Sequence, residues 1–304
     1  MADTAATLPS IRSGVELPPL ESSAFDPRTL VTRTLTVLVW IAALVASIPL
    51  FSVLYMLVAR GGARFSLELF TQLPPAGFET GGGFGNAIVG TLVMVGIAAA
   101  IAVPLGILAA VFLAELGPGS RLAQAARFGA KTLTGLPSIL AGVFAYATVV
   151  LLTGGYSAPA GGVALALLML PIVVLTAEEA LKMVPKVMKD AAYGMGCTRT
   201  QVILKVVLPT GLPAILTGVM LAVARASGET APLLFTALFS NYWLYQEGHL
   251  AVMEPTASLA VLIYNFSGMP FDNQIELAWA ASLVLVLIVL LVNVLSRLFG
   301  KPRY

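Results

Sequence analysis

Two residues of opposite charge, Arg225 and Glu229, interrupt an otherwise apolar stretch that covers residues 211–235. If this stretch is a membrane helix, Arg225 lies roughly 21 Å from its start, too deep for the guanidinium group to reach the surface at that end. A charge at that depth needs an ion pair or water, and such residues commonly mark a transport pathway. A guanidinium group could bind an oxyanion there through two parallel hydrogen bonds. The spacing of four also fits a purely structural salt bridge, and both roles can hold if Glu229 pairs with Arg225 until an anion arrives.

The composition indicates a membrane protein. Hydrophobic residues make up 58% of the 304 positions and charged residues only 11%, which is too few to cover the surface of a soluble domain of this length. The net charge of +2 and the lack of a basic stripe with interleaved aromatic residues argue against nucleic-acid binding. With one histidine (His249) and one cysteine (Cys197), the sequence predicts neither a multi-histidine metal site nor an intrachain disulfide.

The apolar runs predict an all-α membrane protein with about six transmembrane helices. Residues 132–177 carry no charge, and as one helix they would measure roughly 69 Å, over twice the thickness of a hydrocarbon core. They must therefore form two helices, separated by the glycine-rich segment 154–162. We predict a mobile N-terminal tail at 1–35 and a membrane domain at 36–300. Its spans are 37–58, 86–114, 132–153, 161–180, 211–235 and 275–297, with a polar loop at 181–210.

Basic residues predict the orientation. Groups of three, three, five and three Lys or Arg fall in the tail, the second and fourth connections and the C-terminal end, whereas the opposite side holds only Arg60 and Arg64. Basic residues concentrate on the cytoplasmic side of membrane proteins. Both termini should therefore be cytoplasmic, and residues 181–210 should form the largest basic cytoplasmic loop.

Within that loop, seven residues keep a distinctive spacing. They are Asp190, Ala191, Ala192, Gly196, Val206, Leu208 and Pro209. The pattern resembles the signature loop of ABC-importer permeases, which reads Glu-Ala-Ala, three residues, Gly, nine residues and Ile-x-Leu-Pro; here Asp and Val replace Glu and Ile. The resemblance implies a bundle like that of type I ABC importers, and it implies that residues 190–209 form short coupling helices that dock in a groove on an ATPase subunit. The alternative is an ordinary amphipathic connector.

A second resemblance concerns residues 225–233, which read Arg-x-x-Gly-Glu-Thr-Ala-Pro-Leu. This run is similar to one in phosphate importer permeases of the PstA kind, within the family of binding-protein-dependent transport permeases. Residues 136–142 and 176–181 are similar to further segments of the same family. The chain departs from the family at Leu175, where phosphate permeases often have an arginine. If that arginine serves the anion in relatives, the contribution is missing here or comes from a partner chain.

The sequence contains no Gly-x-x-x-x-Gly-Lys-Ser/Thr phosphate-binding loop, since Pro302 follows its single Gly-Lys pair. We therefore expect a transporter subunit that is not an enzyme and binds no cofactor itself. The resemblance implies a cytoplasmic ATPase dimer that carries ATP and Mg, a second, related permease chain forming a heterodimer, and an external phosphate-binding protein. It also implies a bacterial or archaeal plasma (inner) membrane.

Three alternatives remain at this point. The cargo of such an importer could be another oxyanion or a polar organic solute. The chain could be a secondary transporter or channel that works without ATP, although such proteins commonly show internal repeats or ionisable relays over several spans. It could also be a membrane scaffold without transport. Glu178 and Glu179 favour cap or interface roles in every case, and Pro137 should kink its helix.

Overall fold

The computed structural model describes residues 27–246 and 248–299. The predicted tail therefore lies mostly outside the described residues, but its last part, residues 27–35, is helical and belongs to the first span. Within the described part the chain is all-α apart from one two-stranded antiparallel ribbon. The predicted fold class is confirmed.

Thirteen α-helices are present in the described residues. They are α1 Pro27–Met56, α2 Glu68–Thr71, α3 Gly85–Val111, α4 Arg121–Thr134, α5 Ser138–Ala145, α6 Leu151–Thr153, α7 Ala158–Lys182, α8 Lys186–Gly194, α9 Arg199–Val202, α10 Leu208–Ser227, α11 Ala231–Leu234, α12 Leu259–Ser267 and α13 Asp272–Phe299. Single π-helical turns extend or join neighbouring helices at Leu57–Gly61, Phe112–Leu116, Tyr146–Val150 and Ile203–Val207. The ribbon pairs β1 (Tyr245–Gln246) with β2 (His249–Leu250).

Five helices of the described residues are long and apolar enough to cross a membrane: Pro27–Gly61, Gly85–Leu116, Ala158–Lys182, Arg199–Ser227 and Asp272–Leu295. A sixth crossing arises if α4 and the helix Ser138–Thr153, which meet at an angle of 105°, count as one bent span. The expected number of about six spans agrees with this arrangement.

The third predicted span, 132–153, is wrong at its start. Residues 132–134 are the end of α4, and the chain turns sharply before α5 begins at Ser138. Pro137 explains the break, because proline lacks a backbone N–H and disfavours helical geometry at the residue before it. The expected kink is therefore a complete interruption of the helix.

The fifth predicted span, 211–235, is wrong at both ends. One helix runs without interruption from Arg199 to Ser227, so it begins well inside the predicted polar loop. It ends where Gly228 caps it, and the short helix α11 follows after Thr230. The apolar pattern continues through this break, which is why hydropathy alone overlooked it.

The chain divides into two compact units, residues up to 55 and residues from 56 onward. In the first, the described residues form α1, which buries no side chain. In the second, α3 packs along α7, α7 packs on α10, and α13 packs on both α10 and α12. The largest core cluster lies among α3, α7 and α10 and includes Met94, Met169 and Ile215. This packing positions the two candidate sites described next.

Candidate functional site

The predicted coupling loop contains a helix–turn–helix formed by α8, a tight turn and α9. We call residues 186–202 the knob. At the turn, Gly196 has a φ angle of +84°, and the Cys197 amide donates to the Ala192 carbonyl at 3.1 Å. Only glycine adopts this left-handed conformation without strain. Thr198 then caps α9 in a capping box with Gln201.

The seven signature residues of the loop divide into two groups. Ala192 is buried, and Val206 and Leu208 are half-buried against the core. The remaining four, Asp190, Ala191, Gly196 and Pro209, are exposed on the described chain. The signature therefore combines residues that anchor the loop with residues that leave its turn accessible.

The outer surface of the knob and its approach exposes several large apolar side chains among charged ones. It exposes Met183, Val187, Met188, Tyr193 and Met195, the last to 80%. Apolar residues grouped on an exposed surface commonly mark a protein contact. This surface suits docking of another subunit.

Ion pairs hold the knob end of the bundle together. Glu178 of α7 is buried, with 4% of its side chain exposed, and its Oε1 accepts hydrogen bonds from Arg127 Nε at 2.6 Å and Lys182 Nζ at 2.5 Å. Lys189 Nζ of the knob lies 2.5 Å from Glu115 Oε1. Sequence analysis assigned Glu178 only a cap or interface role and overlooked Glu115, whose partner lies 74 residues away along the chain.

Arg225 and Glu229 do form a salt bridge, but a loose one. Arg225 Nε lies 3.5 Å from Glu229 Oε1, and the two side chains are 51% and 16% exposed. Arg225 lies in the last turn of α10, where a cation interacts favourably with the helix dipole, while Glu229 lies just beyond the helix end. Half of the arginine side chain is therefore open to a further partner in this single chain.

Although Arg225 is close to the end of its own helix, the neighbours of the pair pack beside the middle of α13. Ala224 and Gly228 line a cavity of about 560 Å³ with α13 residues between Leu285 and Val294. Leu285 lies roughly 20 Å along α13 from its start at Asp272. Helix α10 thus ends inside the membrane-spanning region, and non-helical backbone at such depth is typical of positions that line a cavity or a binding site.

Two of the three segments that carry the phosphate-permease resemblance meet in space. Gly142 of α5 packs so closely on α11 that a Cβ atom there would lie 2.6 Å from Pro232 Cα. Thr176 of α7 lines a smaller cavity with Thr217 and Gly218 of α10. Leu175 packs in an apolar cluster with Leu113 and Val174 and adds no charge to this region.

Comparison with known families decides the relationship. The family model described as "Binding-protein-dependent transport system inner membrane component" matches residues 102–301. The chain belongs to this family. It is a multi-pass membrane permease, and the match includes the knob, α10 and the Arg225–Glu229 pair.

Curated relatives cover most of the permease. The phosphate transport system permease protein PstA of Haemophilus influenzae is 42% identical over 264 residues, which are 87% of this chain and 92% of that protein. The probable phosphate transport system permease protein PstA of Methanocaldococcus jannaschii is 37% identical over 84% of this chain and 88% of its own. PstA 1 of Mycobacterium tuberculosis H37Rv is 34% identical over 92% of both chains.

Solved structures show the same fold at low sequence identity. A chain of the MetNI methionine ABC transporter in an inward-facing conformation matches with a TM-score of 0.56 and 20% identity, over 70% of this chain and 93% of its own. A chain of a bacterial alginate ABC transporter, in complex with an alginate-bound periplasmic protein, matches with a TM-score of 0.56 and 16% identity, over 90% of this chain and 96% of its own. The permease therefore has the fold of an ABC importer permease, as the signature loop predicted.

Proposed function

We propose that this permease is the membrane-spanning subunit of an ATP-driven importer of inorganic phosphate. The observation that carries the proposal is the position of Arg225, which is half-exposed at mid-span beside a break in its helix. The cargo is supported by the phosphate permeases that are 34–42% identical to this chain. It is also supported by the contact between two of the segments that resemble phosphate permeases, through Gly142 and Pro232.

Arg225 is the residue that would meet the anion. Phosphate carries between one and two negative charges near neutral pH, and a guanidinium group offers it two parallel hydrogen bonds. In the resting state Glu229 neutralises Arg225 at 3.5 Å, a separation long enough for the arginine to exchange this partner for phosphate. Leu175 supplies no charge, so any second cation must come from elsewhere in the assembly.

The driving force would enter through the knob. The chain has no nucleotide-binding loop, so ATP and Mg would bind to a cytoplasmic ATPase dimer, which takes up the exposed apolar surface of the knob. The helix Arg199–Ser227 begins in the knob and ends just beyond Arg225. Some 39 Å of continuous helix would therefore join the ATPase contact to the anion site, and a tilt at one end would move the other.

The remaining partners follow from the same geometry and family. A second, related permease chain would close the pathway that a single chain leaves half-open at Arg225, and an external phosphate-binding protein would deliver the anion. The knob and both termini would lie in the cytoplasm, because most Lys and Arg fall on that side. The membrane would be the plasma (inner) membrane of a bacterium or an archaeon.

Phosphate uptake in cells that carry Arg225→Gln tests the anion role. We expect uptake to fall by at least about tenfold, which corresponds to the loss of one charge-assisted contact. Arg225→Lys should retain part of the activity, because it keeps the charge and loses the planar fork. Arg121→Gln, which removes an exposed arginine of α4, is the matched control.

Membrane assembly of each variant is measured separately, by the amount of chain and of ATPase in purified complexes. Normal uptake by a correctly assembled Arg225→Gln variant would remove the anion role. Competition is measured by adding unlabelled sulfate, molybdate or phosphate during the uptake of labelled phosphate. If sulfate or molybdate suppresses uptake as strongly as unlabelled phosphate does, the site would instead be assigned to another oxyanion.

A further inference from the structure

The end of the α3 span is held by both arms of the knob. This end is the π-helical turn Phe112–Leu116, whose last carbonyl groups have no partner within the helix. From α8, Lys189 Nζ pairs with the Glu115 carboxylate at 2.5 Å. From the start of α9, Arg199 Nη2 donates to the backbone carbonyl of Glu115 and, at 3.0 Å, to that of Leu116. One residue, Glu115, thus contacts the chain on both sides of the Gly196 turn.

Burial makes the loss of either partner of the carboxylate contact costly. The side chains of Glu115 and Lys189 are only 13% and 19% exposed. An ion pair shielded from water is screened little by salt, and loss of one partner leaves the other charge poorly solvated. Arg199, by contrast, is exposed and acts as a cationic cap on the carbonyl end of the α3 span.

A third cation joins the same turn to the rest of the bundle. Arg127 of α4 donates to the Leu113 carbonyl at 2.7 Å and to the Pro118 carbonyl at 2.9 Å, and it pairs with Glu178 of α7. The end of the α3 span is therefore a junction where the knob, α4 and α7 meet. Along the rest of its length α3 packs against α7.

We propose that Glu115 is a positioning residue that makes the knob and the end of the α3 span move as one rigid body. The continuous backbone can pass a movement of the knob to α10, because α9 continues into that helix. It can also pass the movement to α7, through residues 183–185. Among the described residues, the polar contacts of Glu115 and Leu116 pass it directly to the end of the α3 span. The inference rests on the proposed function for the source of the movement but not for the identity of the cargo.

The first test measures phosphate transported per ATP hydrolysed by the complete transporter in proteoliposomes. Glu115→Gln and Lys189→Gln should each lower this ratio about tenfold while the ATPase stays bound and active. The exchanged pair, Glu115→Lys with Lys189→Glu, should restore at least half of the ratio. Lys131→Gln, which removes an exposed lysine of α4, is the control and should change nothing.

Three results would overturn the proposal. The first is a ratio within about twofold of the parent in both single variants. The second is loss of the ATPase from the complex, which would make Glu115 a residue of folding or docking. The third is an exchanged pair that behaves like the single variants.

A distance measurement makes the test independent of the cargo. Spin labels at Lys186 and Gly119, both exposed, report the separation of the knob from the turn after α3, in a Cys197→Ser background. The distance should be unchanged by ATP binding in the parent and should broaden or split on ATP binding in Glu115→Gln. A parent distance that shifts with ATP would refute rigid-body movement. Absence of phosphate uptake by the parent chain would reject the cargo and leave this measurement valid.

Discussion

The knob end and the middle of the membrane domain hold their charges in different ways. At the knob end, the carboxylates of Glu115 and Glu178 are largely buried and have cationic partners at 2.5 to 2.6 Å. At mid-span, Arg225 and Glu229 are 3.5 Å apart, and half of the arginine is exposed. The same residue types thus form tight junctions in one region and a loose pair in the other.

The difference fits the roles proposed for the two regions. A tight, shielded network has little to gain from a new partner, because every charge is already satisfied, so it suits the transmission of force. A loose pair whose arginine is half-exposed suits the exchange of one partner for a ligand. Depth in the membrane alone does not distinguish these roles; the geometry of the pair does.

The sharpest way to break this comparison is to remove one charged side chain from each region. Glu178→Gln leaves the Arg127 guanidinium without its carboxylate, and we expect the free energy of unfolding to fall by about 3 kcal/mol. Arg225→Gln, which opens only the loose pair, should cost less than about 1 kcal/mol. Equilibrium unfolding of the purified chain in mixed detergent micelles measures both. Equal losses would show that the two regions do not differ in this way.

The contact between α5 and α11, the short helix that follows the mid-span pair, can be tested at Gly142. A methyl group at this position would lie 2.6 Å from Pro232 Cα, and backbone atoms cannot move aside as a flexible side chain can. Gly142→Ala should therefore lower the free energy of unfolding by about 2 kcal/mol and displace α11, with reduced uptake.

The matched control is Gly129→Ala in α4, where a Cβ atom has no neighbour within 4 Å. This change should be neutral or slightly stabilising, because alanine has a higher helix propensity than glycine. If Gly142→Ala were tolerated as well as Gly129→Ala, α11 would not be held by α5 as described.

The smallest effect is expected at the turn of the knob. Gly196→Ala forces a side chain into a backbone conformation with φ near +84° and should cost about 1 kcal/mol. Asparagine at this position should be tolerated better, since it adopts the left-handed conformation more readily. Thermal unfolding and co-purification of the ATPase report stability and docking separately. Gly194→Ala serves as the control, because Gly194 has open space around it and no positive φ. An equal loss of stability in this control would argue against the turn geometry.

Several features of the knob could be predicted from the sequence because they depend on residues that are close together in the chain. The resemblance of residues 190–209 to the permease signature loop implied short helices, and Gly196 and Thr198 produce the turn between them through their own backbone preferences. The orientation of the knob toward the cytoplasm remains a prediction. Its ion pairs could not be predicted, because a lone glutamate at the end of an apolar run carries no sign of a partner far along the chain.

For the mid-span pair, the sequence predicted the contact between the two charges but not the helix that positions them. Its charges were visible as interruptions of an apolar stretch, and its spacing of four residues predicted the salt bridge that is present. Its depth was predicted from a helix thought to run over 211–235, whereas the helix runs over Arg199–Ser227. Arg225 is at mid-span because α10 stops there against α13, and hydropathy does not register such a stop.

The amino-acid sequence by itself determined that this protein lies in a membrane, that it is helical, and that it carries an importer permease's coupling signature. These properties depend on apolar content, periodicity and short-range spacing, each of which is written locally in the chain. Only the tertiary structure decided that Glu115 joins both arms of the knob, that Gly142 meets Pro232, and that the Arg225 pair is loose while the Glu178 network is tight. Those features depend on distances between helices far apart in sequence, which arise only when the apolar faces pack together.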